Sequence, residues 1–314
     1  MGNAANARSV AGEAHCDKRY GGEKGTCAAA AHSLFHSIAD LDARYFQIAV
    51  LSFLVCYGLF VLRFDVTAWQ CALSLGTVLI TQYLCSRAVR GHFEPRSALI
   101  SGLSLCLLLR ADSLLLVIAG GVLAILVKFL VRIQEKHIFN PTNFGIGILL
   151  LLSNGAWVSP GQWGSLVIFG AALSCLGFIV VKRAERSDVT LAFLGSYVGL
   201  LTIRAYRLGD PLTIPLHQLE SGSLLLFAFF MISDPRTTPD ARAGRILFAV
   251  LVSLVAYYLR FYRFNSNALI FSLLFVSCFT PLIDRMFPES RFQWTGRTLF
   301  LRRNVYGASE LPLR

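Results

Sequence analysis

Nine long stretches of this chain contain no charged residue: 45–62, 66–86, 97–109, 113–127, 138–181, 189–203, 221–233, 246–259 and 264–283. A helix rises ~1.5 Å per residue and needs ~20 residues to cross about 30 Å of hydrocarbon, so stretches of this size set the architecture. The 44-residue stretch 138–181 is too long for one crossing. It breaks at Ser153-Asn154-Gly155 and again at Pro160-Gly161, which are turn formers, so it reads as two helices. Ten apolar segments result. Only 15% of the residues are charged and the mean hydropathy is +0.60, against roughly 25% charge in a soluble domain. No amphipathic stripe could hide this much apolar surface from water. The expected fold is an all-α polytopic membrane protein.

The basic residues give the expected direction. With the N-terminus inside and ten crossings, the inner segments are 1–44, 87–96, 128–137, 182–188, 234–245 and 284–314. They hold 23 of the 29 Lys and Arg, leaving six for the outer loops: Arg63, Arg110, Arg204, Arg207, Arg260 and Arg263. Translocating positive charge is unfavourable, so the split predicts both termini in the cytoplasm. The net charge of +11 is thereby explained by topology and by contact with anionic lipid, and nucleic acid is not an expected partner. Residues 1–44 lack apolar periodicity and read as a disordered cytoplasmic tail, with no cleavable signal sequence. Residues 45–152 and 153–283 form two membrane repeats, and 284–314 a basic cytoplasmic tail.

The eight cysteines form no CxxC pair, and six sit in or beside apolar segments, where Cys behaves as a small hydrophobe. Neither an iron–sulfur cluster nor, without a mid-membrane His pair, a haem is expected.

Self-similarity points to a site. The run SGLSLCLLLRAD at 101–112 resembles SGSLLLFAFFMISD at 221–234, and Phe139-Asn140 and Phe264-Asn265 follow after 38 and 43 residues. In the topology above the two runs enter from opposite sides, so the chain reads as two inverted five-helix repeats, each with a short helix initiated by Ser-Gly. Short segments at matching places in inverted halves point to a midplane site at the repeat interface, with helix-start N–H groups facing an anion or a carbonyl oxygen. The candidate ligand-binding residues are Ser101, Gly102, Ser221 and Gly222. Tilted helices with snorkelling charges explain the same pattern without a ligand. Asn140-Pro141-Thr142-Asn143 opens a helix, with Asn140 as cap, and Asn143 and Asn267 need partners if buried. Thr142 and Asn265 belong to the same motifs. Asp234, Arg236, Thr237 and Thr238 combine charge and hydroxyls suited to phosphate or headgroup contact, although an ordinary inner-loop turn fits equally.

These blocks also carry a family resemblance. LFAFFMISDPRTTP, FNSNALIF and PLIDR in the second half, with SALISGLSLCLLLRAD and KHIFNPTNFG in the first, resemble the RnfD/NqrB family across roughly 45–285. The UnbU-like branch associated with enediyne biosynthesis is a fainter likeness. The resemblance implies a bacterial inner-membrane subunit of an ion-pumping electron-transport complex, with flavin and with partner membrane or redox subunits. In that family a Thr in an SGAT-like outer loop bears covalent FMN. Here the corresponding span, Ser153–Gln162, has no such Thr, so covalent FMN is not expected and a noncovalent flavin (FMN or riboflavin) or quinone between the repeats is. Two other readings stay open: a channel-like or carrier protein for a small solute, and a membrane anchor for a biosynthetic assembly. The catalytic step, if any, would belong to the complex; no catalytic residue and no metal ligand is expected in this chain.

Overall fold

Ten apolar segments need a way to satisfy every backbone N–H and C=O inside a bilayer, and helices do so within one segment. The computed structural model describes residues 42–133, 136–159, 167–219 and 221–292. The sequence's turn at Pro160-Gly161, and the tails before residue 42 and after residue 292, lie outside those residues. The first part comprises α1 (Ala43–Phe60), α2 (Ala68–Ala88), α3 (Pro95–Leu108), α4 (Leu114–Leu130) and α5 (Pro141–Leu152). The second comprises α6 (Val167–Arg183), α7 (Ser187–Leu208), α8 (Thr213–Leu219), α9 (Gly222–Leu226), α10 (Arg242–Phe261), α11 (Ala268–Ser277) and α12 (Thr280–Met286). The protein is mostly helical. Helices α1, α7 and α10 are each long and apolar enough to cross a membrane, while α3, α4 and α5 are shorter apolar helices. The α11–α12 pair bends by 51° at Cys278-Phe279, just before Pro281, and is apolar enough to be one broken span or a re-entrant loop, as is α8 with α9 and the turn after it.

Local chemistry starts several of these helices. Thr67 and Gln70 form a reciprocal capping box at α2, Ser113 accepts from the Leu115 N–H at α4, and Asn140 accepts from the Asn143 N–H at α5, where Pro141 occupies the first turn. At α3 the structure corrects the expected Ser-Gly start. The helix begins at Pro95, so Ser101 and Gly102 lie mid-helix. Pro fits a first turn, and Ser101 Oγ donates to the Ser97 carbonyl one turn back rather than capping anything. Gly102 serves packing: a Cβ there would lie 2.8 Å from Val78 of α2.

With 14 and 12 residues, α3 and α5 reach only about 21 and 18 Å. Each continues in extended backbone, as β1 (Leu109–Ala111) and β4 (Ala156–Val158), and these pair antiparallel with Leu109 opposite Val158. The ladder is prolonged by Ser159 N–H donating to the Leu108 carbonyl and Asp112 N–H to that of Gly155. Two short helices thus finish by satisfying each other's backbone. A second two-residue pair, β2 (Arg132–Ile133) with β3 (Lys136–His137), closes the α4–α5 loop.

In the second part α9 runs directly into a π-helical turn, Phe227–Met231, where the Ile232 N–H reaches back to Phe227. The wider turn leaves carbonyls to be met by side chains: Thr190 Oγ1 donates to Ala228, Ser233 Oγ to Phe229 and Asn140 Nδ2 to Met231.

The packing of the two parts follows one order. Helix α2 lies on α4 and α4 on α5, with α1 on α3; α7 lies on α10 and α10 on α11, with α6 on α9 and its π turn. Gly145 lets α5 approach α4 closely, since a Cβ there would sit 2.7 Å from the Gly120 carbonyl. The two parts meet where α5 touches α11 and where α1 touches α6.

Candidate functional site

The sequence-derived candidates fall into three places. The first is the seam between α5 and its neighbours. Thr142 Oγ1 donates to the Ser101 carbonyl at 3.3 Å, and Asn143 Nδ2 to the Ile270 carbonyl of α11 at 3.1 Å. Both side chains are buried, so these bonds satisfy polar groups that would otherwise be costly away from water. Asn143 therefore reaches into the other part of the chain, as a tie between helices. Its Oδ1 is buried with no partner among the described residues.

The second place is the 232–241 loop. Asn140 Nδ2 lies 3.2 Å from the Met231 carbonyl and 3.4 Å from Asp234 Oδ2. The Asp234 carbonyl accepts from the hydroxyls of Thr237 and Thr238 at 3.3 and 3.1 Å, and its Oδ1 accepts from the Arg236 N–H. Burial raises the Asp234 carboxyl pKa, and the Arg236 backbone N–H and guanidinium oppose that rise. The two threonines are buried and spent on the turn, which leaves Arg236 as its exposed member.

Around this loop stands an ion-pair network in which Arg44, Lys136 and Arg245 had entered the sequence reading only as topology charges. Lys136 Nζ sits 3.0 Å from Asp240 and 2.7 Å from Asp284; Arg245 lies 2.7 Å from Asp188, and Glu94 lies 3.3 Å from Arg44 and 4.0 Å from Arg236. Lys128 is buried and donates to the Ser97 carbonyl and hydroxyl. Every one of these ion pairs joins two segments assigned to the inner side by the charge reading.

The third place is a cavity between the two parts, at the opposite end of the helices. It encloses about 580 Å³ of empty space, open solvent included. Leu108 of α3 and Val158 of β4 close one side, and Phe227 and Met231 of the π turn another. Polar groups come from Tyr197, Gln218, Ser221, Ser223, Arg260 and Asn267. Ser221 precedes α9 and its Oγ lies 2.9 Å from that of Ser223, while Gly222 is the buried first residue of the helix. Asn267 precedes α11, and its N–H is held by Asn265 Oδ1 at 2.8 Å. Tyr197 and Phe227 both contact Phe193, with ring centroids 5.7 and 5.2 Å away, which fixes two aromatic walls. Gln218 Oε1 is a buried acceptor with no partner among the described residues.

The structure thus brings Ser221 and Asn267 to one cavity and leaves Ser101, Gly102, Asn140, Thr142, Asn143 and the 234–238 loop elsewhere. Tyr197, Gln218 and Arg260 were missed. Tyr197 has the signature of any aromatic in an apolar helix, and Arg260 was absorbed by the charge count. Among the described residues no group of three or more His, Cys, Asp or Glu could hold a metal ion.

Comparison with known proteins agrees with the motifs. The model of the NQR2, RnfD, RnfE family matches residues 153–293. A protein of Halorhodospira halophila, named as part of an ion-translocating oxidoreductase complex, is 26% identical over 313 residues, covering 76% of this chain and 84% of its own length. The proteins of the same name from Haemophilus influenzae and Mannheimia succiniciproducens are 30% and 33% identical over 139 and 108 residues; this chain spans 38% and 30% of their lengths. With the motif blocks in order and the family model matching the second part, this chain is similar to the NQR2, RnfD, RnfE family over residues 153–293.

Proposed function

We propose that this chain is an integral membrane subunit for electron transport, working with partner redox subunits, and that the cavity between its two parts holds a noncovalent flavin. The observation that carries the reading is the cavity itself: two fixed aromatic walls, several hydroxyl and amide groups, and the unpartnered acceptor Gln218 Oε1. A quinone ring offers only carbonyl acceptors, whereas an isoalloxazine also carries an N–H that can donate to such an oxygen. A bound flavin would supply one- and two-electron chemistry; this chain would supply aromatic packing, hydrogen bonds and the Arg260 charge. Covalent attachment is disfavoured by Ser159, whose residue is 8% exposed and whose N–H is tied into the ladder.

Ten crossings in two inverted repeats are supported by the matching packing order of the two parts. The grouping of the six inner segments on one side is supported by the ion pairs, which gather them at one end. At the other end, two cation–π contacts join outer loops, Arg110 over Phe64 and Arg204 over Phe261. Single cysteines at the exposed Asn154 and Arg242, in a background without other thiols, should label from opposite sides of intact cells or oriented vesicles. Labelling of both from one side would end the ten-crossing reading.

The flavin reading is tested by the absorption spectrum of the purified protein. A flavin band that leaves with the solvent on denaturation is expected, and Gln218→Leu or Asn267→Ala should lower flavin content about tenfold, the scale of one hydrogen bond to a buried partner. A fluorescent band migrating with the polypeptide would mean covalent attachment. Colourless protein that moves a solute into vesicles would replace this function with a carrier.

A further inference from the structure

A second pocket lies wholly within the first part, between the start of α2 and the end of α3, and is independent of the flavin reading. Arg110, 4% exposed, forms part of its wall. Its Nη1 donates to the Cys106 and Leu109 carbonyls at 3.0 and 2.9 Å, which ties down the end of α3. Its ring-stacking partner is Phe64, 5.5 Å away. Nη2 is buried and has no partner among the described residues. The same pocket is lined by Ser74, 3% exposed, by Gln70, and by the apolar Leu105, Leu109 and Val117. Asp65 stands at the rim, exposed to solvent, near enough to act electrostatically on Arg110 without pairing with it.

A guanidinium in low dielectric with two undirected N–H bonds is a costly arrangement unless an acceptor meets them, and a charged acceptor meets both the hydrogen bonds and the charge. The cleft has room for about one water-sized body, too little for phosphate or a substituted carboxylate. Three aliphatic walls favour an ion that sheds its hydration readily. We propose that Arg110, with the Ser74 hydroxyl, forms a binding site for a single monovalent anion of halide size. The exposed Asp65 would weaken that site and set its affinity.

Thermal unfolding of the full chain in detergent, titrated with sodium chloride or bromide against sodium gluconate at constant ionic strength, tests this. Chloride and bromide should raise Tm saturably by about 3 °C over gluconate, as expected of a ligand that binds only the folded state. Arg110→Gln should abolish the halide-specific increment. Asp65→Asn, a surface change, should keep it and move its midpoint to several-fold lower concentration. Equal Tm in chloride and gluconate, or an increment that survives in R110Q, would overturn the site. Should R110Q fail to fold, the D65N titration decides alone: an unchanged midpoint overturns the site, and a lowered one supports it.

Discussion

Lowering the pH from about 6.5 towards 3 should progressively destabilise the folded protein, with His137 as a main cause. His137 lies in β3, outside the membrane-spanning helices, and is 9% exposed. Burial, and then the positive charges of Arg132, Arg236 and Lys128, hold its imidazole pKa down at about 3, against an ordinary value of 6.5. A group with a depressed folded pKa binds its proton more readily when unfolded. Its contribution is therefore fully present above pH 6.5 and is lost as the pH falls through the window down to about 3. At pH 4.5 the loss amounts to about 2–3 kcal/mol, from 1.36 kcal/mol per unit. His137→Gln, which cannot acquire the charge, should flatten the dependence of Tm on pH across this window. Parallel curves for the two proteins would show that His137 is not the group responsible.

Replacing Lys136 by Met should be among the most damaging single changes at the charged end of the molecule. Its ammonium lies between Asp240 and Asp284, which are further linked by Asp284 Oδ1 accepting from the Asp240 N–H. The lysine and Asp240 side chains are 14% and 9% exposed, so the pair is largely desolvated. Removing one partner from such a site leaves uncompensated charge, with an expected cost of about 3 kcal/mol. Here two carboxylates would face each other without a cation. A second change, Asp284→Asn, should recover part of the loss, because it removes one of the repelling charges. Chemical denaturation of K136M and the double variant in mixed micelles measures both, and a K136M protein as stable as its parent would contradict the account.

The sequence determined what depends on each residue's own transfer energy. Apolar runs located the helical segments, because the cost of placing each side chain in lipid adds along the chain. Lys and Arg grouped the loops into two sets, and the ion pairs gather the segments of one set at a common end. Asn140 was legible as a cap because its chemistry is confined to its own turn. The remaining features depend on partners distant in sequence. Where α3 ends, at Leu108, turns on how β1 finds β4, far along the chain, since a helix end away from water needs another backbone to accept its unpaired groups. The π turn at Phe227–Met231 stands on Thr190 and Asn140, neither of which has a sequence signal for that role. The clustering of Tyr197, Gln218 and Arg260, and the burial of Arg110 and His137, likewise came from packing. Tertiary structure decided which polar groups meet, because in a low-dielectric interior the cost of an unpaired group is settled only by what lies across from it.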